Sequence, residues 1–152
     1  MLGRLLLTAI ILLMFYTPAS DNLPPIIPEV SRGDRPAVRV LVMEVTAFDL
    51  SIQCCGKPLG HPGRGITKGG YDLNGMSRAG AMTIACNSLP AGTRVRMEFD
   101  GGRAIYNGIY TVRDTGDMGP GVIDLFLGDG GELPSQETID FGRCSMEVEI
   151  LE

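Results

Sequence analysis

The sequence predicts an all-β protein with a small closed β-barrel. Runs of β-branched and aromatic residues recur along the chain and indicate five or six short strands, most clearly at residues 38–47, 94–99, 104–113, 122–126 and 146–151. Glycine-rich turns separate these runs, as at residues 69–70, 100–102 and 129–131. Many short strands with such turns and almost no helix are typical of a barrel.

The individual elements carry different signals. Residues 38–47 alternate only in part, whereas residues 94–99 alternate cleanly, with Arg94 and Arg96 expected on the solvated face. The runs at 104–113 and 122–126 each have an aspartate within or just after them. At most one short helix is expected, over residues 134–140, where Ser135 can cap the first turn.

The N-terminal region is expected to lie outside the barrel. Arg4 gives a positive start, residues 5–16 are mostly apolar, and small residues allow cleavage after Ala19. Residues 1–19 are therefore predicted to be a signal peptide, shorter than the ~20 apolar residues of a spanning helix. Residues 20–37 are a proline-rich linker, and residues 38–152 form one domain. The protein is expected to be secreted or in the cell envelope, touching the membrane only if the N-terminus stays uncleaved.

Charge and composition argue against several functions. The formal net charge is −5, and it becomes more negative once Arg4 is removed, so nucleic acid is not an expected partner. His61 is the single histidine of the sequence and lies in a Gly-His-Pro-Gly turn, where a solvated side chain is expected. Zinc hydrolysis and Ser-His-Asp chemistry are therefore not expected, and neither a metal nor a cofactor is predicted.

Four cysteines accompany the export signal, so we expect them to be paired in an oxidising compartment. Cys54 and Cys55 are adjacent, and a bond between neighbours closes a strained ring. Each of them is therefore expected to join one of Cys86 and Cys144, which leaves two possible connectivities.

Two aspartates offer acid–base chemistry. Asp114 begins an Asp-Thr-Gly turn at the end of one predicted strand, and Asp124 lies inside the next one. A carboxyl group among backbone amides and apolar neighbours can have its pKa moved far enough for acid or base work. Because a turn joins them, both can face one cleft. Ordinary turn chemistry is the alternative for Asp114, since Asp accepts from its own backbone and Gly supplies positive φ.

Several short motifs follow one another in a fixed order. They are Thr46-Ala-Phe-Asp49, Cys54-Cys-Gly-Lys57, Gly65-Ile-Thr67 with Gly69, Met82-Thr-Ile-Ala-Cys86, Leu89-Pro-Ala-Gly-Thr93-Arg-Val95, Asp114-Thr-Gly116, Ile123-Asp-Leu-Phe126 and Phe141-Gly-Arg143. This ordered set resembles the 3D domain, named for three aspartates, of bacterial cell-wall proteins and of membrane-bound lytic transglycosylase A type enzymes. The resemblance covers roughly residues 40–151.

The resemblance implies a six-stranded double-psi β-barrel that cleaves the glycan strands of peptidoglycan non-hydrolytically. It implies that Asp124 is the catalytic acid/base, that Asp114 supports it, and that Thr67 lines the same cleft and binds substrate. Burial and the like charge of Asp114 would both raise the pKa of Asp124. We expect a monomer whose partner is the glycan strand. The chain departs from the family pattern where residues 86–88, Cys-Asn-Ser, replace the first family aspartate.

Two other functions fit parts of the pattern. A non-catalytic glycan-binding module or cell-wall protein inhibitor on the same barrel is one, since a binding descendant can lose an acid. The other is one half of a homodimeric aspartic protease, a class that also carries Asp-Thr-Gly. The small residue usual after that glycine is replaced here, because Asp117 follows Gly116.

Overall fold

Between residues 39 and 151, six strands form the frame of the domain. They are β1 (Arg39–Asp49), β2 (Thr83–Cys86), β3 (Arg94–Met97), β4 (Gly108–Asp114), β5 (Val122–Gly128) and β6 (Cys144–Leu151). The computed structural model describes residues 39–151. The predicted signal peptide (1–19) and linker (20–37) lie outside the described residues.

The six strands close into a barrel in the order β1-β5-β2-β4-β3-β6. Strand β1 runs parallel to β5, and β2 runs parallel to β4. The remaining neighbours in the barrel are antiparallel. Exchanging each strand with the one three places further along the chain, β1 with β4, β2 with β5 and β3 with β6, gives the same set of neighbours. The parallel pair β1–β5, for example, becomes the parallel pair β4–β2. This two-fold pseudosymmetry is the one expected of a double-psi barrel, and the prediction of a small all-β barrel is confirmed.

The described part of the chain contains more helix than the single short one predicted. The expected helix is present as α3 (Gln136–Phe141), where Ser135 accepts a hydrogen bond from Thr138 N. Two one-turn helices, α1 (Ile52–Cys55) and α2 (Arg78–Ala81), were missed. A single turn shows no hydrophobic period, so only its capping serine marks it in the sequence. No helix within residues 39–151 is long and apolar enough to cross a membrane.

A 3-10 helix replaces the first part of one predicted strand. The 3-10 helix spans Gly101–Tyr106 and so includes the first three residues of the strand predicted at 104–113. Strand β4 begins at Gly108. Tyr106 packs edge-on against Phe99 and Phe141 in the core. The aromatic residue that favoured a strand in the sequence therefore packs from a helical turn.

Alternation along the strands separates the barrel interior from its outer surface. Val45 and Ile123 are 0 % exposed and belong to the main apolar cluster. Because successive side chains of a strand point to opposite faces, Thr46 and Asp124 lie on the outer face. Paired residues share a face, so Ala85, opposite Asp124, lies there too.

A smaller apolar cluster holds the segment between β1 and β2 against this outer face. It consists of buried Leu50, Leu73, Ala81 and Phe126, with Phe48, Tyr71 and Met76 packed against them. Phe126 comes from β5 and the others from β1 or the segment that follows it. The segment therefore packs against the outer face of the barrel and can form one side of a cleft.

Candidate active site

Strand register places the two predicted acids close together on the outer surface of the barrel. Asp124 on β5 pairs with Thr46 on β1 and with Ala85 on β2. Ala85 also pairs with Asp114 on β4, after a shift in register. The row therefore runs Thr46, Asp124, Ala85, Asp114 across four adjacent strands. At a strand spacing of about 4.8 Å, the Cα atoms of the two aspartates are about 10 Å apart.

The part of this row around Ala85 lines a cleft of about 710 Å³. One wall comes from residues 53–57 and 65–68, and the other from residues 114–118. Thr67, Asp114 and Asp124 all line this cleft. The structure thus brings together the three side chains predicted for the site, and the volume lies in the range of small-ligand pockets.

Asp124 combines burial with a hydrogen bond from its strand neighbour. Thr46 Oγ1 donates to Asp124 Oδ1 at 2.8 Å. Burial raises the pKa of the Asp124 carboxyl above its ordinary value, while the Thr46 hydrogen bond and the positive charge of Arg143 act in the opposite direction. The net direction is upward, so Asp124 keeps its proton to a higher pH than an exposed aspartate. Such a group can act as a general acid.

The charge that acts on Asp124 belongs to Arg143 and not to Asp114. Arg143 lies just before β6 and forms an ion pair with Glu44 on β1. The prediction that Asp114 raises the pKa of Asp124 as a like charge is wrong, because burial accounts for the rise and Asp114 does not contribute to it. Ala85 lies between the two aspartates in the row, and water in the open cleft screens the charge of one from the other.

Asp114 shapes its turn and also faces the cleft. Its Oδ1 accepts hydrogen bonds from Lys68 N at 2.8 Å and from Thr115 N at 2.9 Å. The bond from Thr115 is the turn chemistry expected of Asp-Thr-Gly. The bond from Lys68 reaches the opposite wall, so the carboxylate fixes the two walls relative to each other.

Thr67 is buried in the wall of the cleft. Tyr71 N donates to its Oγ1 at 3.0 Å, and Thr67 N donates to Tyr71 O at 2.9 Å. Because the hydroxyl oxygen accepts from Tyr71, its own proton can be donated to a ligand. Arg113 lies 4.3 Å from the centre of the Tyr71 ring, which supports this wall from outside the cleft.

Asn87 and Ser88 hold the loop beside the cleft, a role that the sequence did not predict. Asn87 Nδ2 donates to Gly116 O at 2.9 Å and to Met118 O at 2.7 Å, and Gly116 N donates to Asn87 Oδ1 at 3.3 Å. Gly121 N donates to Ser88 Oγ at 2.9 Å. Asn87 and Ser88 thus anchor the loop between β4 and β5. The side-chain amide of Asn87, which can donate and accept hydrogen bonds at the same time, was the one feature of the sequence that could have indicated this role.

All four cysteines are free thiols in the structure. Cys54 and Cys55 lie on α1 and line the cleft. Cys86 is buried in the barrel core, and Cys144, at the start of β6, packs against that core. Neither predicted pairing is formed, because one pair of thiols lies in the cleft wall and the other belongs to the barrel.

His61 lies in an exposed turn, as the sequence predicts, and its Nδ1 accepts a hydrogen bond from Gly63 N at 3.0 Å. Among the described residues, no group of three or more His, Cys, Asp and Glu side chains is placed to hold a metal ion.

Comparison with known proteins gives no family assignment, since no family model and no curated protein matches the chain. The functional conclusion therefore depends on the cleft, its two carboxyl groups and the order of the motifs.

Proposed function

We propose that the protein is a peptidoglycan lytic transglycosylase with Asp124 as its acid/base. One observation carries the proposal: Asp124 lines an open cleft, and burial raises the pKa of its carboxyl group. Cleavage of a glycosidic bond requires a proton donor, and a raised pKa makes a carboxyl group better suited to that role. The resemblance of the motif order to the 3D domain and the two-fold pseudosymmetry of the barrel support the same conclusion.

One carboxyl group suffices for this reaction. Protonated Asp124 gives its proton to the glycosidic oxygen as the bond from that oxygen to the anomeric carbon breaks. The resulting carboxylate accepts the proton of the same sugar's 6-hydroxyl, whose oxygen bonds to the anomeric carbon and closes an anhydro ring. The acid is thereby restored. An internal nucleophile has a high effective molarity, so the paired carboxyl groups of ordinary glycosidases are not needed.

The neighbouring residues have distinct roles in the proposal. Thr46 occupies Asp124 Oδ1, which leaves Oδ2 to carry the transferred proton. Thr67 offers a hydroxyl proton to the sugar from the facing wall. Asp114 holds that wall through Lys68 and supports the geometry without itself moving a proton.

The proposal also fixes partner and compartment. The substrate is the glycan strand, and the cleft is open at the surface of the barrel, so a long polymer can lie across it. A monomer is sufficient, because Asp114, Asp124 and Thr67 all come from one chain. The protein would act in the cell envelope or outside the cell, with residues 1–19 directing export.

A non-catalytic glycan-binding module is the second candidate, and one observation favours it. Asn87 is engaged in hydrogen bonds to the loop beside the cleft, in the segment where the family pattern has an acid. A binding protein would keep the cleft and Thr67 and would use Asp124 as a hydrogen-bonding group alone.

Product analysis with purified sacculi tests the proposal. The full chain is expected to release anhydromuramyl products. Asp124→Asn is expected to reduce release by at least ~10²-fold, because an amide cannot donate and retake a proton. Asp100→Asn is the matched control, since Asp100 is exposed, lies outside the cleft and makes no capping hydrogen bond.

Undiminished release by Asp124→Asn would overturn the role of Asp124. Co-sedimentation of the full chain with sacculi, without release of any product, would contradict the enzyme and favour the binding module.

A further inference from the structure

The loop that separates the two aspartates is held by the residues that follow β2. Residues 115–121 join β4 to β5, and residues 115–118 line the cleft. Strand β2 is antiparallel to β5, with Cys86 opposite Ile123. Continuing that register beyond Cys86 brings Ser88 opposite Gly121, where their hydrogen bond is found. This hydrogen bond therefore lies where the pairing of β2 with β5 would continue into the loop.

Gly121 is fixed on both sides. Its N–H donates to Ser88 Oγ at 2.9 Å, and its carbonyl accepts from Glu44 N on β1 at 2.9 Å. Its φ is +78°, a conformation that favours glycine. The chain thus enters β5, and reaches Asp124 three residues later, from a fixed point.

Asn87 holds the other end of the loop, and its amide chemistry matters. Its NH₂ group donates to two carbonyl oxygens, Gly116 O and Met118 O, while its oxygen accepts from Gly116 N. A carboxylate has the same size but donates nothing. An aspartate at this position would face the same two carbonyl oxygens with nothing to donate to them.

We infer that Asn87 is a positioning residue that clamps the cleft-lining loop 115–118 through its side-chain amide. On this inference, Asn87 stands where the 3D-domain pattern has its first aspartate, and it anchors the loop in place of an acid. The anchoring requires the side-chain amide. The consequence for catalysis rests on the proposed function, whereas the clamp itself does not.

Amide hydrogen exchange of the full chain tests the clamp without any assay of activity. Asn87→Ala is expected to accelerate exchange at Gly116 about tenfold and to leave Gly121 unchanged, and Ser88→Ala should do the reverse. Gln136→Ala is the matched control, because it truncates an exposed amide on α3 that lies outside the cleft and donates to Asp140. Unchanged exchange at Gly116 in Asn87→Ala would overturn the inference.

Release of anhydromuramyl products from soluble glycan fragments tests the need for an amide. Asn87→Asp is expected to lower kcat/KM about tenfold, mainly through KM, with no shift of the pH profile that Asp124 sets. An increase in kcat/KM would overturn the inference, because position 87 would then work better as an acid. If the unmodified chain releases no product, the proposed function fails, and the exchange measurement still decides the clamp.

Discussion

Asp49 and Asp124 are two acids of one barrel whose surroundings move their pKa values in opposite directions. Burial is the largest influence on both and raises both pKa values. At Asp49, hydrogen bonds from Ser51, Ser135 and Thr138 outweigh burial and lower the pKa to about 2. At Asp124, the Thr46 hydrogen bond and the charge of Arg143 do not outweigh burial, and the pKa stays raised.

The number of donors therefore decides in which direction the pKa of each acid moves. Ser51 N lies 3.0 Å from Asp49 Oδ1, and Ser135 N and Thr138 Oγ1 lie 2.7 and 2.9 Å from Oδ2. Asp49 thus ties β1 to the residues that begin α1 and α3. Gly130 closes over it so tightly that a Cβ there would lie 2.7 Å from Asp49 Cγ. Asp124 keeps its proton to a higher pH than Asp49 does.

The largest expected effect is on stability, at Asp49. Asp49→Asn should lower the free energy of unfolding at pH 7 by about 2–4 kcal/mol, because an NH₂ group would face buried donors and leave them unsatisfied. Urea unfolding measures this, with Asp100→Asn as the control. A loss below ~0.5 kcal/mol, as for an ordinary surface substitution, would break the comparison.

Acid should remove the same stabilisation. The pKa of Asp49 is lowered from 3.8 to about 2 in the folded state, so its carboxylate stabilises the fold above the unfolded pKa. That stability, roughly 2 kcal/mol, is lost as the pH falls through the folded pKa. Between pH 4 and pH 2, the unmodified protein should lose this much more free energy of unfolding than Asp49→Asn. Equal losses in urea titrations at these pH values would contradict the account.

A smaller effect of opposite sign is expected at Asp124. Its raised pKa means that the protonated form stabilises the fold at low pH and that this stability is lost as the pH rises through the folded pKa. Asp124→Asn removes the buried charge, so the free energy of unfolding at pH 7 should rise. Urea unfolding of the variant used for product analysis provides the measurement. A decrease as large as that of Asp49→Asn would show that Asp124 is also a structural acid.

The smallest effect sharpens the role of Thr46. Thr46→Val removes a hydrogen bond that lowers the pKa of Asp124, so that pKa should rise further. Thr46→Ser keeps a hydroxyl group and should leave it close to the original value. Titration of the Asp124 carboxyl carbon by NMR compares the two variants. A fall in Thr46→Val would contradict the geometry of the site.

The sequence predicted what depends on local pattern. Arg94 and Arg96 alternate with buried Val95 and Met97, and Ser135 caps the helix expected there. Such alternation predicts directly which side chains of a strand are buried and which face the solvent. The positions of Asp114 at the end of one strand and of Asp124 inside the next were predicted as well, and both are found in β4 and β5.

The partners of those acids could not be predicted in the same way. Thr46 and Asp124 are 78 residues apart in sequence, and they meet through a parallel strand pair that no local signal encodes. Asp49 had the sequence of an ordinary strand-end acid, and its burial follows from packing by α1, α3 and Gly130. Ile105 and Tyr106 favour strands by residue type. They nevertheless lie in the 3-10 helix, from which Tyr106 packs into the core.

Site-resolved titration of the carboxyl carbons of Asp49 and Asp124 in the unmodified protein tests the central claim most directly. The account predicts that Asp49 titrates near pH 2 and that Asp124 titrates above the ordinary aspartate value of 3.8. Spectra of Asp49→Asn and Asp124→Asn assign the two signals. A pKa of Asp124 at or below 3.8 would contradict the claim, because the carboxyl group would then hold no proton to give to a glycosidic oxygen.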